Sequence, residues 1–229
     1  MKVLVLFSGG LDSTTALAKA IDEYGKENVV ALSISYGQKH VKEIEASNNI
    51  VKYYGVEHIF LDLSKIFEFS DCSLLSHSTK DVPLGDYSKQ LETNDGKPLS
   101  TYVPFRTGLF LSSTAAIAIS KGCDLIYYGA HSDDAAGNAY PDCSESFTKA
   151  INDAIYIGSG NQVKVVGPFV GMHKSDIVKL GTTLDVPYKL TWSCYEGHDK
   201  ACGKCGTCID RKKAFEINGL KDPIEYEED

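Results

Sequence analysis

The reading turns on one stretch, Lys2-Val3-Leu4-Val5-Leu6-Phe7-Ser8-Gly9-Gly10-Leu11-Asp12-Ser13-Thr14-Thr15. Its first six residues are an apolar run of β character, which Ser8-Gly9-Gly10 breaks. Leu11, Ala16, Leu17, Ala20 and Ile21 then fall on one face at helical spacing, so the chain passes from a strand through a tight turn into a helix over residues 12–24. The first N–H groups of a helix have no partner within it, and together with the helix dipole they attract an anion. Gly9 and Gly10 let the backbone approach such an anion with no Cβ in the way, and Ser8, Ser13 and Thr14 add hydroxyl groups. The glycines are adjacent and no third follows, so this is not the dinucleotide fingerprint. It also lacks the Gly-Lys-Ser/Thr ending of the kinase-type phosphate loop.

Outward from this junction, strands are expected over 28–35, 58–63, 124–128 and 163–166. Helices are expected over 41–54, 107–121, 144–157 and 174–184. Strands alternating with helices at this spacing specify an α/β fold, a doubly wound and mostly parallel sheet. Ligands of such sheets bind beyond the carboxyl ends of the strands, which directs attention to the loops after Phe7, Ser33, Tyr128 and Val166. Residues 65–104 carry Pro83, Gly85, Asn94-Asp95-Gly96 and Pro98 with no clear period, and read as a long functional loop or a disordered insertion.

Seven cysteines are present, and four of them, Cys194, Cys202, Cys205 and Cys208, fall within fifteen residues. A dense cluster in a chain with no secretory signal reads as a metal site rather than a disulfide framework. Four thiolates suit Zn²⁺, and with no position left open the ion would be structural. A redox-active or iron–sulfur site and a nucleic-acid-binding zinc ribbon are the alternatives, the latter because Lys200, Lys204, Arg211, Lys212 and Lys213 lie nearby. The chain is thereby divided into a nucleotide-binding domain, 1–189, and a zinc-binding C-terminal segment, 190–229.

The 229 residues are 43% hydrophobic and 24% charged, ordinary for a globular protein. The formal net charge of −8 argues against a bulk grip on nucleic acid. No apolar run reaches the roughly 20 residues of a membrane span, so a cytoplasmic protein with no membrane partner is expected.

The Ser-Gly-Gly-x-Asp-Ser string resembles the pyrophosphate loop of the ATP pyrophosphatases. Together with Tyr36-Gly37-Gln38-Lys39-His40, Val103-Pro104-Phe105-Arg106, Tyr140-Pro141-Asp142-Cys143, Thr191-Trp192-Ser193-Cys194-Tyr195 and the four cysteines, it resembles, over nearly the whole chain, the 7-cyano-7-deazaguanine synthase family. The resemblance implies an adenine nucleotide alpha hydrolase-like fold. It implies a ligase that takes 7-carboxy-7-deazaguanine, ammonia and ATP to a nitrile precursor of queuosine, with Mg²⁺ and one structural zinc, and a homodimer. It places the ATP segment at Phe7, Ser8, Gly9, Gly10, Leu11, Asp12, Ser13, Thr14, Thr15, Ala16 and Leu17, with Asp12 helping to hold Mg²⁺. It places the zinc ligands at Cys194, Cys202, Cys205 and Cys208, and substrate contacts at Tyr36 and Gln38. Phe105, Thr107 and Ser144 depart from the residues common in the family, and residues 129–140 run two longer.

Within that chemistry Lys174 would neutralise the departing pyrophosphate, or be a surface lysine. Arg106 would grip a carboxylate or phosphate, or form a structural salt bridge. Asp134 and Asp142 would read the donor edge of a deazaguanine, or be ordinary loop acids. His40 reads equally as a general base for ammonia or a packed histidine. Trp192, Tyr195 and Cys143 read as core. A tRNA sulfurtransferase on the same loop is the rival enzyme, and an ATP sensor with a zinc-ribbon arm the rival binding module.

Overall fold

In a computed structural model of the chain, residues 1–39, 42–92, 97–136, 139–196 and 199–227 are described. Five strands, β1 (Val3–Leu6), β2 (Val29–Ser35), β3 (Glu57–Asp62), β4 (Leu125–Tyr127) and β5 (Lys164–Val166), form one sheet in the order β3-β2-β1-β4-β5. Every pairing is parallel; Val3 faces Val29 on one side and Leu125 on the other. The helices are α1 (Leu11–Tyr24), α2 (Lys42–Tyr54), α3 (Tyr87–Glu92), α4 (Arg106–Lys121), α5 (Ser132–Ala135), α6 (Glu145–Gly158), α7 (Lys174–Thr183) and α8 (Gly206–Ile217).

The doubly wound parallel fold read from the sequence is the one observed, for a reason visible in β1. Its side chains alternate between two cores. Val3 and Val5, with Phe7 beyond the strand, pack with Leu11, Leu17, Ile177 and Phe215 on one face. Leu4 packs with Leu32, Leu111, Ile126 and Ile155 on the other. A strand covered on both faces has no solvent side and reads as a continuous apolar run. The order of winding reverses between β1 and β4, so the crevice beyond their carboxyl ends is the expected ligand site.

Three expectations are revised. Residues 65–104 are largely not a free loop: Phe67, Cys72, Leu74, Leu75 and Val103 build a small core with Tyr36, and Leu99 packs with Tyr140 and Ala139. These apolar residues are irregularly spaced, so no period betrayed them. Gly85 N also donates to Lys204 O at 2.9 Å, tying this segment to the cysteine region. Helices α5 and α8 were not anticipated. In α8 the cysteine and lysine spacing masked a helix whose Ala214 and Phe215 enter the main core.

The departures from the family pattern have local explanations. Ser144 caps α6, its Oγ accepting from Phe147 N at 3.2 Å. Phe105 stands before α4 in the left-handed region at φ 52°, a conformation that suits glycine. Its ring lies over Gly108, where a Cβ would come within 2.5 Å of it, and packs edge-on against Phe147.

Candidate functional site

The turn after β1 leaves the sheet at the reversal of winding. Gly9 sits at φ 89°, and a Cβ there would lie 2.6 Å from Ser47 N, so the loop is wedged against α2. Gly129, just past β4, would bring a Cβ to 3.0 Å from Ser13 N and so lets the β4 loop close over the start of α1. Gly10 occupies the N-cap, and no side chain caps the helix. The hydroxyls of Ser8 and Ser13 lie 3.1 Å apart, Ser8 N donates to Ser13 Oγ at 3.2 Å, and Gly10 N donates to Ser8 Oγ at 3.2 Å. An uncapped, glycine-approached helix start flanked by serine hydroxyls matches the chemistry of a phosphate cradle.

This cradle floors a cleft of about 250 Å³ lined by Phe7, Ser8, Gly10, Leu11, Asp12 and Ser13 from the loop. Gly9 shapes the turn. Thr14, Thr15, Ala16 and Leu17, expected in the ATP segment, turn inward instead. Thr14 Oγ1 donates to Gly10 O at 2.7 Å, Thr15 Oγ1 donates to Leu11 O at 2.9 Å, and Ala16 and Leu17 lie in the core.

Asp12 and Lys174 meet in the cleft, Lys174 Nζ 3.5 Å from Asp12 Oδ2. Lys174 is the first residue of α7, and its backbone N donates to Asp133 Oδ2 at 2.8 Å. Burial works against ionisation of Asp12, but the Lys174 ammonium and His131 outweigh it and hold the carboxyl well below its usual range. Lys174 is likewise kept charged against burial by Asp12 and Asp134. Asp12 Oδ1 is buried with no hydrogen-bond partner among the described residues. An orphaned carboxylate oxygen beside a phosphate cradle is the donor a hard divalent cation takes, so the residues present fit Mg²⁺.

His131 was missed by sequence reasoning. It is 1% exposed, at the start of α5, with Nε2 3.4 Å from Asp134 and 3.7 Å from Asp12, and Nδ1 3.9 Å from Asp133. Burial opposes charge on the ring, but Asp134 and Asp12 outweigh it and raise its pKa. The signal available was its position, three residues past the predicted end of β4. Asp133 accepts from His173 Nδ1 at 2.7 Å.

Tyr36, Gln38, Arg106, Asp134 and Cys143 also line the cleft. The Arg106 guanidinium lies 5.0 Å over the Tyr36 ring, and no carboxylate of the described residues forms an ion pair with it. Gln38 Oε1 accepts from Tyr36 N at 3.0 Å. Asp142 does not line the cleft: it is buried, and its Oδ2 accepts from Thr107 N at 2.8 Å, fastening the first turn of the helix that carries Arg106. Cys143 lines the wall rather than lying in the core, and burial keeps its thiol protonated. His40 lies outside the described residues. Trp192 and Tyr195, read as core, also line the cleft, and Lys42 Nζ sits 4.8 Å over the Trp192 ring.

The fourth wall comes from the cysteine segment, which supplies Ser193 and Thr207. Trp192 N donates to Gly9 O at 3.0 Å, joining this segment to the phosphate cradle. Behind it Cys194, Cys202, Cys205 and Cys208 are all buried and unbridged, with their sulfurs within 4.8 Å of one another. Tetrahedral zinc–thiolate bonds of about 2.3 Å would set sulfur–sulfur edges at about 3.8 Å, and Cys202 Sγ and Cys208 Sγ are 4.0 Å apart. Backbone N–H groups of Glu196 and Cys202 point at Cys194 Sγ, and those of Lys204 and Cys205 at Cys202 Sγ. Such donors stabilise thiolates, so the set fits a closed four-sulfur metal site.

The family model for queuosine biosynthesis protein QueC matches residues 2–219. A 7-cyano-7-deazaguanine synthase of Psychromonas ingrahamii is 40% identical over 227 residues, covering 99% of this chain and 98% of the relative. One from Archaeoglobus fulgidus is 42% identical over 230 residues, covering 100% and 92%. Among solved structures, NMN synthetase from Francisella tularensis superposes with a TM-score of 0.53 at 15% identity, covering 96% of this chain and 78% of that one. The U34-tRNA thiolase NcsA from Methanococcus maripaludis gives 0.50 at 19% identity, covering 96% and 65%. These two likenesses show a shared fold and nothing finer. With the family model spanning nearly the whole sequence and relatives matched end to end, the chain belongs to the QueC family of queuosine biosynthesis proteins.

Proposed function

We propose that the cleft converts 7-carboxy-7-deazaguanine and ammonia into 7-cyano-7-deazaguanine, with ATP as the activating reagent. One observation carries this reading: a phosphate cradle with the Asp12–Lys174 couple shares one cleft with an arginine that forms no ion pair with a carboxylate among the described residues. A carboxylate cannot be displaced by ammonia, because oxide is too poor a leaving group. Arg106, offering its planar fork, holds the substrate carboxylate facing the cradle. There a carboxylate oxygen attacks the α-phosphorus of ATP, the bond to the β,γ-pyrophosphate breaks, and an acyl-adenylate forms. Lys174 and the α1 N–H groups receive the charge that accumulates on the pyrophosphate. Ammonia then adds to the acyl carbon, AMP departs, and loss of a proton leaves the amide. A second round, in which the amide oxygen attacks another α-phosphorus and leaves as AMP with loss of two protons, gives the nitrile.

Mg²⁺, when bound, would be held by Asp12 and would spread the phosphate charge. Zinc would be held by Cys194, Cys202, Cys205 and Cys208, where it folds the wall that carries Trp192 and Ser193. Asp134, which lines the same cleft as Tyr36 and Gln38, accepts hydrogens from the 2-amino and N1–H edge of the base, as acids pair with base amino groups.

Incubation with ATP, Mg²⁺, ¹⁵N-ammonia and the carboxylate, read by mass spectrometry, tests the proposal. A ¹⁵N-nitrile appearing with AMP and pyrophosphate is expected. ADP and phosphate would overturn the adenylation step, and an unchanged base would overturn the reaction itself.

A further inference from the structure

A polar relay joins three strands at the lip of the phosphate cradle and takes no part in the steps above. Ser33 of β2 is 4% exposed, and its Oγ lies 2.7 Å from Phe7 O and 2.8 Å from His58 Nε2 of β3. A carbonyl has no proton, so the serine hydroxyl donates to Phe7 O. A serine has one proton, so His58 Nε2 carries the hydrogen of the second bond and donates to Ser33 Oγ. The histidine tautomer is thereby fixed by counting donors. Burial pushes the His58 pKa down, which favours the neutral ring. The ring is also held edge-on against Phe7, with centroids 6.5 Å apart. Ser33 Oγ is left with its proton committed, one lone pair occupied and one lone pair free, in a residue that lines the cleft.

The residues that line the cleft fall into two arms by the strands they follow, β4 and β5 on one side of β1, and β2 and β3 on the other. One carries Lys174 and Asp134, with Asp12 at the start of α1 between the two. The other carries Leu6, Ile34, Ile44 and Phe60, with the hydroxyls of Ser33 and Ser47. A charged substrate carboxylate belongs in the first arm and a flat nucleobase in the second, where the half-exposed Phe60 offers an aromatic surface. We propose that Ser33, kept as an acceptor-only hydroxyl by His58 and Phe7 O, is a specificity-determining residue of the nucleotide arm. It takes a hydrogen from a 6-amino purine and rejects a 6-oxo purine, whose oxygen would meet an acceptor. This rests on the ATP-dependent reading above.

The test is equilibrium binding of the Mg²⁺ complexes of α,β-methylene ATP and α,β-methylene ITP, which differ at the 6-position and in the hydrogen on N1, need no turnover, and are compared in wild type and in variants of Ser33. Wild-type protein is expected to favour the 6-amino compound by about tenfold, the scale of one neutral hydrogen bond gained and one mismatch avoided. Ser33→Ala should bring the ratio close to one, weakening the 6-amino compound and relieving the mismatch with the 6-oxo compound. His58→Gln, which retains an N–H donor, should keep most of the preference, whereas His58→Phe should lose part of it. Equal binding by wild type overturns the proposal, as does a Ser33→Ala variant that binds both compounds more weakly by the same factor, the outcome of a purely structural tie between strands. Either result leaves the nitrile reaction standing, and that reaction is judged separately by the isotope assay. Binding of neither compound overturns both.

Discussion

β1 and the segment carrying the cysteines meet at Gly9 and Trp192, yet they are held by different physics. Val3, Leu4 and Val5 are fully buried among aliphatic side chains on both faces of the sheet, so their stabilisation scales with apolar area removed from water. The C-terminal segment is fastened chiefly by directed contacts. Arg211, 1% exposed, donates twice to Asp222, at 2.7 and 3.0 Å, and also to Thr191 Oγ1 at 2.7 Å and Tyr188 O at 3.1 Å. Four thiols sit beside it. Apolar packing is non-directional and degrades gradually. A set of buried charges and thiols depends on each member, because removing one leaves its partners desolvated and unsatisfied.

The sharpest way to separate the two regions is to deny the four thiols the metal they are suited to hold. Chelation or Cys205→Ser should abolish zinc binding, which in small zinc-folded peptides contributes on the order of 10 kcal/mol. The C-terminal segment should become sensitive to proteolysis, and nucleotide binding should weaken through the Trp192–Gly9 contact, while the sheet's far-ultraviolet circular dichroism persists. Simultaneous loss of the sheet signal would mean that the two regions are not distinct.

Next in size, Arg211→Ala should cost about 3–5 kcal/mol by stranding the Asp222 carboxylate. The paired change Arg211→Met with Asp222→Leu should recover much of that in urea unfolding. Leu4→Ala, by contrast, should cost about 2–5 kcal/mol, and no partner change should rescue it.

Lys174→Ala should lower kcat by a factor of about 10²–10³, the scale of one lost electrostatic contact to developing charge, and should also lower the melting temperature, because the Asp12 carboxylate loses its ammonium partner. A matching rise in KM with unchanged kcat would place Lys174 in ground-state binding instead. The smallest expected effect is Ser144→Ala, about 1 kcal/mol for a lost helix cap. Unchanged activity there would show that this departure from the family pattern is structural.

The phosphate loop, the winding of the sheet and the cysteine set were legible because each is local. A continuous apolar run, an adjacent glycine pair and four cysteines in fifteen residues declare themselves without knowledge of distant contacts. The fate of residues 65–104 was not legible, because Leu74, Leu75 and Val103 have no period and find Tyr36 only after folding. Asp142 and Asp134 look alike in sequence, yet one fastens a helix and the other faces the cleft.

The sequence by itself determined the α/β winding, the phosphate cradle at Ser8–Ser13 and the donor set for a metal. Each follows from backbone preference or ligand type within a few residues. Only the tertiary structure decided that His131 joins Asp12 and Lys174, that Trp192 rests on Gly9, and that Ser33 meets both Phe7 O and His58. Those relations pair residues far apart in the chain. They are set by how strands and helices pack, and local sequence carries no signal of that packing.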